Sequence, residues 1–332
     1  MIKNLYFAIC LCILAFNSAS LEAHMIHKKN IKKKWKEENV PPFDELMLSW
    51  NAKRPLDGKY SFYVSVKIAD RWSPWLLYAT WGSDGQSSFK IEAEDFPVRV
   101  YQDAFEVLEE NKATGFKVKI ISEGDNTLNE VYSLHVYTNS DKVQEPKPVI
   151  SAKKPVHLKV QGLSQMKLNH IRYADLCSPT STSAVVRYLL SSMDIDPVNF
   201  AQSSWDGGFD IFGNWVFNVV HASSILGPNW DCWVERLSGF DDIYKRLQQK
   251  TPVVVSIRGP IQGSAQPYSK GHLLVVTGYN PLEKRVICMD PAFSSDDQTE
   301  VSYDLSEFVQ AWCRRGRVAY IFSKAQKAKF WR

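Results

Sequence analysis

The feature that most constrains the fold is a change of hydrophobic period near residue 150. Residues 45–140 alternate apolar and polar side chains with a period of two, as in "GKYSFYVSVKIA", "TGFKVKIIS" and "VYSLHVYTN", and the turn sequences "PLDG", "GSDG" and "SEGD" separate these runs. Strict alternation buries one face of each strand and exposes the other. The pattern therefore predicts an antiparallel sheet domain over residues 45–140, most simply a β-sandwich.

Residues 158–332 follow a different pattern, in which helical periods come first and strands later. Apolar residues recur at helical spacing after residues 177 and 214, whereas "PVVVSI", "HLLVVTGY", "RVICMD" and "RVAYIF" are typical strand sequences. This order favours an α+β domain over a doubly wound sheet. Residues 141–157, with three prolines and several charges, predict a semi-extended linker between two domains.

Residues 1–23 are typical of an export signal. Lys3 precedes the apolar run "LYFAICLCILAF", and the small residues of "NSASLEA" provide a cleavage site. The run is too short for a membrane span, and no later segment reaches the roughly 18–20 apolar residues that a span needs. The sequence therefore predicts an extracytoplasmic protein, secreted or periplasmic, with no transmembrane segment.

Basic residues are concentrated near both ends, although the net charge of +4 is small for 332 residues. Residues 24–44 form a basic leader segment that contains "HKKNIKKKWK", and the chain ends in "KAQKAKFWR". Because blocks of like charge repel themselves, we interpret both as disordered; contact of the leader with an anionic surface, such as a cell wall or lipid headgroups, is the alternative. No zinc-ligand spacing, phosphate-binding loop or nucleic-acid signature occurs in the sequence, so we expect no metal, no cofactor and no nucleic-acid partner.

Cys177 lies at the start of a predicted helix in "ADLCSPTSTSAVVRYLL". Thiols attack as thiolates, and the unpaired N–H groups of a helix N-terminus stabilise a thiolate. Pro179 fits the first turn, where its missing N–H is not needed, and Ser178, Thr180 and Ser181 are able to cap the helix. Cys177 is therefore a candidate nucleophile, although a small apolar filler would give the same pattern.

The candidate base is His272, which opens the strand "GHLLVVTGY". The other histidine beyond residue 177, His221, lies in an apolar helix and is interpreted as a core or surface residue. If the turn "NPLEK" centres near Pro281, His272 faces Asp290 across a hairpin, and opposite residues share a face. Asp290 would then orient the imidazole; alternatively, both are ordinary strand-end polar residues.

The same register places Leu274 opposite Cys288 and Val276 opposite Val286. Four cysteines follow the export signal, too few for a disulfide scaffold in so long a chain: Cys177, Cys232, Cys288 and Cys313. The apolar neighbour favours a free, buried Cys288; its pairing with Cys232 is the alternative.

Six motifs occur in the order "CSPTSTSAVVRYL", "FGNWVFNVVHASSILG", "PVVVSI", "GHLLVVTGYN", "MDPAF" and "FVQAWCRRG". Together they resemble the secreted, peptidase C39-like branch of the papain-like cysteine peptidases, over residues 160–322. The resemblance implies a papain-like peptidase domain in residues 158–332 and a Cys–His–Asp triad at Cys177, His272 and Asp290. It also implies that Gln165, in "LSQM", forms an oxyanion hole with the backbone N–H of Cys177.

The better-known C39 peptidases are cytoplasmic domains of export transporters that cut after double-glycine leaders, and this chain has no transporter segments. We therefore expect a thiol protease, most simply an endopeptidase, that acts on peptide, protein or cell-wall peptide substrates. The alternatives are a cell-wall peptide amidase or γ-glutamyl peptidase, and a catalytically inactive surface-binding protein. In the first domain, the aromatics of "RWSPWLLYATWG" are interpreted as core residues, with a platform for stacking sugars or peptide as the alternative.

Overall fold

A computed structural model describes residues 24–140 and 153–325 of the chain. Five α-helices and 19 strands lie in these two ranges, and the strand ladders are antiparallel, so the fold is of the α+β class that the sequence predicts. No helix within these ranges is long and apolar enough to cross a membrane. The predicted export signal, most of the predicted linker and residues 326–332 lie outside the described residues.

Residues 24–140 contain twelve strands. They are β1 (His24–Lys29), β2 (Lys34–Phe43), β3 (Glu45–Ala52), β4 (Lys59–Ile68), β5 (Arg71–Trp72), β6 (Leu76–Gly82), β7 (Gly85–Ser88), β8 (Lys90–Glu92), β9 (Val98–Tyr101), β10 (Ala104–Val107), β11 (Ala113–Ser122) and β12 (Val131–Asn139). One sheet has the order β1-β12-β3-β10-β9-β8, and the other has the order β2-β11-β4-β6-β7 with β5 beside β4.

The two sheets share an apolar core because their strands alternate. Along β11, Phe116 and Val118 are buried, whereas Lys117 between them lies toward solvent. Trp50 of β3 stacks on Phe62 of β4 with ring centroids 4.0 Å apart, so side chains of the two sheets meet directly. Full burial of one such phenylalanine side chain stabilises the fold by about 2–3 kcal/mol.

The interpretation of the basic run at residues 27–36 as a disordered end is wrong. β1 pairs with β12 and β2 pairs with β11, so that each strand extends one of the sheets. Trp35, Val40 and Phe43 of β2 are buried. Their burial offsets the repulsion among the neighbouring lysines, and the sheets therefore begin at residue 24 instead of residue 45.

Residues 153–325 contain the remaining strands and the five helices. The strands are β13 (Val156–His157), β14 (Trp230–Arg236), β15 (Val253–Gly259), β16 (Tyr268–Asn280), β17 (Arg285–Met289), β18 (Glu300–Asp304) and β19 (Val318–Lys324). The helices are α1 (Cys177–Leu190), α2 (Pro197–Ser204), α3 (Trp215–Leu226), α4 (Phe240–Gln248) and α5 (Leu305–Cys313). The sheet order is β14-β19-β15-β16-β17-β18, with β13 beside β16. Ser181 of α1 donates a hydrogen bond to the carbonyl of Leu273 at 3.0 Å, which places the start of α1 beside the strand that carries His272.

The predicted register of the β16–β17 hairpin is wrong. Val276 lies opposite Cys288, not opposite Val286, and the pairing shifts at a bulge between Val276 and Gly278. The last pair, Asn280 with Arg285, leaves a four-residue turn centred beyond Pro281. The predicted turn centre was therefore too early, and the bulge changed the register again.

Side chains of β3 cover the free edge of the third sheet. The amide of Asn51 makes two hydrogen bonds with the backbone of Cys232 on the edge strand β14, at 2.8 and 2.7 Å, and Ser49 accepts one from the N–H of Val234 at 3.1 Å. These bonds take the place of a neighbouring strand for an edge that would otherwise be unpaired. They fasten residues 24–140 to the C-terminal sheet.

We expect Asn51→Ala to lower the free energy of unfolding by about 2–4 kcal/mol, because it leaves a buried N–H and a buried C=O of Cys232 without partners. Urea unfolding of the whole protein measures this change. The matched control is Asn199→Ala, at an exposed side chain, where the change should stay within about 0.5 kcal/mol. Equal stability of the two variants would contradict the prediction.

Candidate active site

Cys177 is the first residue of α1 and is half-buried. Leu176 is the N-cap, and it offers no side-chain cap. The prediction that nearby hydroxyls cap this helix is wrong, because they face the sheet: Ser178 Oγ hydrogen-bonds Tyr320 Oη at 2.9 Å, and Ser181 bonds the carbonyl of Leu273. The N–H groups at the start of α1 therefore have no side-chain cap.

The structure brings Cys177, His272 and Asp290 together. His272 Nε2 lies 2.7 Å from Asp290 Oδ1, and both residues are buried. The thiol of Cys177 lies close enough to the imidazole to help raise the pKa of His272. Because Asp290 occupies Nε2, Nδ1 is the ring nitrogen left to exchange a proton with the thiol.

Two tyrosines that the sequence analysis did not identify hold the carboxylate. Tyr268 Oη and Tyr303 Oη each donate a hydrogen bond to Asp290 Oδ2 at 2.7 Å, and the N–H of Ala292 donates one to Oδ1 at 3.0 Å. Tyr268 also stacks on the ring of His272, with centroids 4.1 Å apart and planes 12° apart. These contacts fix both the carboxylate and the plane of the imidazole.

In the pair of His272 and Asp290, burial and the opposite charge shift each pKa in opposite directions. Burial by itself lowers the pKa of His272, but the carboxylate of Asp290 outweighs it and raises the pKa of His272 to about 10. Burial raises the pKa of Asp290, and the charge on His272 together with the tyrosine hydroxyls holds that pKa below its ordinary value. At neutral pH the pair is therefore a carboxylate and an imidazolium, and the imidazolium stabilises a thiolate next to it.

Gln165 is buried near these residues, and both N–H groups of its amide are occupied, whereas its Oε1 has no hydrogen-bond partner in the described residues. Its Nε2 donates hydrogen bonds to the carbonyls of Tyr173 at 3.1 Å and Ala174 at 2.8 Å, and its backbone N–H donates one to the carbonyl of Pro291 at 2.9 Å. It thus ties the chain before Cys177 to the loop after residue 290. Both amide protons are engaged, so a contribution to the oxyanion hole requires the exchange of one of these bonds and stays a prediction.

His221, the other histidine considered in the sequence, is buried among helix residues. The ring of His221 lies edge-on to Phe200, with centroids 4.6 Å apart, and Ser224 is its hydrogen-bonding neighbour. Burial lowers the pKa of His221 to about 3, so this histidine is neutral over the physiological range.

The other described thiols differ from Cys177 in exposure. Cys232 and Cys288 are free and fully buried, and burial raises the pKa of each thiol well above its ordinary value. The prediction of a free, buried Cys288 is confirmed, although its partner across the hairpin is Val276 and not Leu274. Within the described ranges, no cluster of three or more His, Cys, Asp or Glu side chains could hold a metal ion.

A thiol at a helix start, an imidazole on a strand and a carboxylate just beyond the next strand form the arrangement that a thiol nucleophile with an oriented base requires. Residues 157–320 match the sequence pattern that defines the Peptidase C39-like family, and this part of the chain belongs to that family. The crystal structure of a C39-like peptidase from Bacillus anthracis is similar to 53% of this chain and to 100% of its own, at 19% identity and a TM-score of 0.41. No curated protein matches the chain.

The pH dependence of hydrolysis should report the His272–Asp290 pair. We expect kcat/KM to fall at alkaline pH with a midpoint near 10, where His272 loses the proton that the leaving amine needs. In Asp290→Asn the charge that raises this pKa is gone and burial dominates, so the alkaline limb should move to lower pH. Tyr303→Phe keeps the charge and is the control. An unmoved limb in Asp290→Asn would contradict the assignment.

The raised pKa of His272 also makes the free energy of unfolding depend on pH. The folded-state pKa of His272 lies above its ordinary value of 6.5. Its contribution to stability is therefore complete below about pH 6.5 and is lost as the pH rises toward 10.

Proposed function

We propose that this protein is an exported cysteine peptidase that hydrolyses peptide bonds with Cys177, His272 and Asp290. Membership of a peptidase family implies peptide substrates. The observation that supports the assignment most is the 2.7 Å hydrogen bond between the imidazole of His272 and the buried carboxylate of Asp290, next to the thiol of Cys177.

The residues divide the reaction as follows. The thiolate sulfur of Cys177 attacks the scissile carbonyl carbon, and the N–H of Cys177 stabilises the negative charge on the oxygen. His272, protonated by the thiol, gives that proton to the leaving amine as the carbon–nitrogen bond breaks, which leaves a thioester on Cys177. His272 then takes a proton from water, whose oxygen displaces the sulfur, and the product is a carboxylic acid and the free thiol.

We also propose the organisation that goes with this function. Residues 1–23 act as the export signal, residues 141–157 link the two parts, and residues 158–332 form a papain-like domain behind an antiparallel β-sandwich. The apolar contact between the two N-terminal sheets supports the sandwich. The protein then acts outside the cytoplasm, as a secreted or periplasmic protein.

The experiment that tests this function is a comparison of substrates. The full mature protein is incubated with a library of internally quenched peptides and, separately, with muropeptides and γ-glutamyl peptides. We expect cleavage of internal α-peptide bonds by the wild type and none by Cys177→Ala. Cleavage confined to muropeptides or γ-glutamyl bonds would favour the amidase alternative, and no cleavage of any of them would favour the inactive binding protein.

A separate observation favours binding to an anionic surface. On neighbouring strands, Lys36 lies directly opposite Lys117 and Lys34 lies directly opposite Lys119. Like charges in such pairs are destabilising. An anionic partner, such as a cell wall or lipid headgroups, would relieve this repulsion, and we propose such a partner for the outer face of β2 and β11.

Aromatic rings lie under the same lysines. Lys117 Nζ is 3.7 Å from the ring centroid of Trp72, and Lys119 Nζ is 5.0 Å from that of Trp75. Tyr78 and Trp81 are buried core residues, as predicted. The aromatic cluster of the sequence therefore divides into core residues and a half-buried pair that supports the basic face.

We expect the protein to bind phosphatidylglycerol vesicles in about 50 mM salt and to dissociate from them in about 500 mM salt, because salt screens exposed charges. The double variant Lys117→Glu/Lys119→Glu should bind at least about 30-fold more weakly. The matched control, Lys53→Glu/Lys90→Glu, changes two exposed lysines away from this face, Lys53 just after β3 and Lys90 in β8. Co-sedimentation measures all three proteins, and equal weakening in both variants would contradict a specific face.

A further inference from the structure

A cavity of about 470 Å³ lies between the N-terminal sheets and the peptidase domain. One side is formed by residues of the N-terminal sheets, including Asp44, Glu45 and Glu106, and the other by Trp215, Arg236 and Arg315. Both parts of the chain therefore contribute to it.

The cavity borders the strand that carries the candidate base. Arg315 Nε donates a hydrogen bond to Ser256 Oγ at 3.2 Å, and Ser256 pairs with Leu273, the residue after His272. A Cβ at Gly271, the residue before His272, would lie 3.6 Å from Arg315 Nε. This is an ordinary van der Waals distance, so Arg315 packs beside the strand that carries His272 and lies between the cavity and that strand.

Most charges of the cavity are already paired. Arg236 forms a two-bond ion pair with Glu45, at 2.6 and 2.7 Å, and Arg99 pairs with Glu106. Asp44 pairs with Lys112, which lies outside the cavity. These pairs hold the walls and leave little net charge for a ligand.

Arg314 and Arg315 also line the cavity, and neither forms an ion pair with a carboxylate of the described ranges. Arg314 is exposed and donates a hydrogen bond to the carbonyl of Arg258 at 3.2 Å, which leaves Arg315 as the partly buried cation. Its guanidinium lies over the ring of Trp215, with 5.2 Å between Cζ and the ring centroid, and is partly buried. Burial lowers its pKa, as expected for a cation without a partner. The nearby carboxylate of Asp103 is occupied by the backbone N–H groups of residues 215 and 216, at 3.0 and 3.4 Å.

We propose that this cavity is a substrate subsite in which Arg315, lying over Trp215, binds a carboxylate of the peptide near the scissile bond. A planar guanidinium binds carboxylates through two parallel hydrogen bonds. Within the described ranges only Nε of the Arg315 guanidinium has a hydrogen-bond partner, Ser256, so both Nη groups are available to a ligand. The carboxylate belongs to an Asp or Glu side chain or to a free carboxyl terminus. The inference rests on the proposed function, and it makes the N-terminal sheets one wall of the specificity site.

The test uses internally quenched peptides that differ only in Glu or Gln at each position around the scissile bond, each with a free or amidated carboxyl terminus. For the wild type we expect kcat/KM to favour Glu over Gln by about tenfold or more at one position, since an unpaired buried charge is costly. Arg315→Gln should abolish this preference and keep cleavage of the Gln peptide, and Arg315→Lys should restore part of the preference. Arg285→Gln, on the exposed side of β17, is the control.

A preference that disappears with the amidated peptides would assign the carboxylate to the peptide terminus. Equal cleavage of Glu and Gln peptides, with free and amidated termini alike, overturns the subsite, as does an unchanged preference in Arg315→Gln. Binding of the same peptides to Cys177→Ala separates the two proposals. A Glu preference in binding without turnover by the wild type would overturn the peptidase and keep the subsite, and equal binding would overturn the subsite.

Discussion

Cys177→Ala is expected to reduce kcat/KM for peptide hydrolysis by at least about 10⁴-fold, because the reaction loses its nucleophile and the remaining groups supply only modest catalysis. The fold should persist. Cys177 is half-buried at the start of α1, and alanine at a helix start removes little packing. Thermal unfolding of the variant and the wild type should therefore agree, while a fluorogenic peptide assay separates them.

The matched control is Cys288→Ala. Cys288 is fully buried in the sheet, so this change should lower stability by about 1 kcal/mol and leave turnover intact. If Cys177→Ala kept its activity, the nucleophile would have to be another residue and the proposed mechanism would be wrong.

His272→Ala has the second largest expected effect, a loss of about 10³-fold or more in kcat/KM, because no other group at the site takes the thiol proton and returns it to the leaving amine. Asp290 would also lose its cationic neighbour inside the protein. Its burial then raises its pKa, and we expect it to become protonated at a higher pH than in the wild type. Steady-state kinetics across pH 5–9 measures the loss.

His221→Ala is the control for this change. His221 packs on Phe200 in the helical layer, so its replacement should affect stability and spare the rate. A protein in which His221 proved essential and His272 dispensable would require a different base from the one the geometry supports.

Short-range patterns predicted much of what the structure contains. Alternation in the first half predicted strands, and the helical period after Cys177 predicted α1. The sequence also predicted contact between His272 and Asp290, and the structure has their hydrogen bond. The register behind that prediction was nevertheless wrong. Asp290 lies just beyond the last residue of β17, so its side chain reaches His272 from the loop and not from an opposite strand position.

The features that the sequence did not predict depend on distant contacts. Tyr268 lies four residues before His272, a spacing that shares a strand face and could have identified it. Tyr303 reaches Asp290 only because β18 pairs with β17, which no local pattern shows. The lysines of residues 24–44 suggested disorder because the sequence shows their charges but does not show that β11 and β12 pair with this segment.

The contacts between residues 24–140 and residues 153–325 also could not be predicted from short sequence patterns. Asn51 looks like an ordinary strand residue, yet its amide takes the place of a neighbouring strand for Cys232. The cavity beside Arg315 likewise has walls from residues far apart in the sequence. Such sites become apparent only once the sheets are assembled.

The most direct test of the central claim is covalent labelling of the native protein with a peptidyl epoxide, followed by intact-mass analysis and peptide mapping. We predict one label per chain, on Cys177, with Cys232 and Cys288 unlabelled because burial keeps those thiols protonated. Labelling should slow sharply in His272→Ala, which has lost the imidazolium. A native protein that leaves Cys177 unlabelled, or that labels at the same rate without His272, would contradict the account.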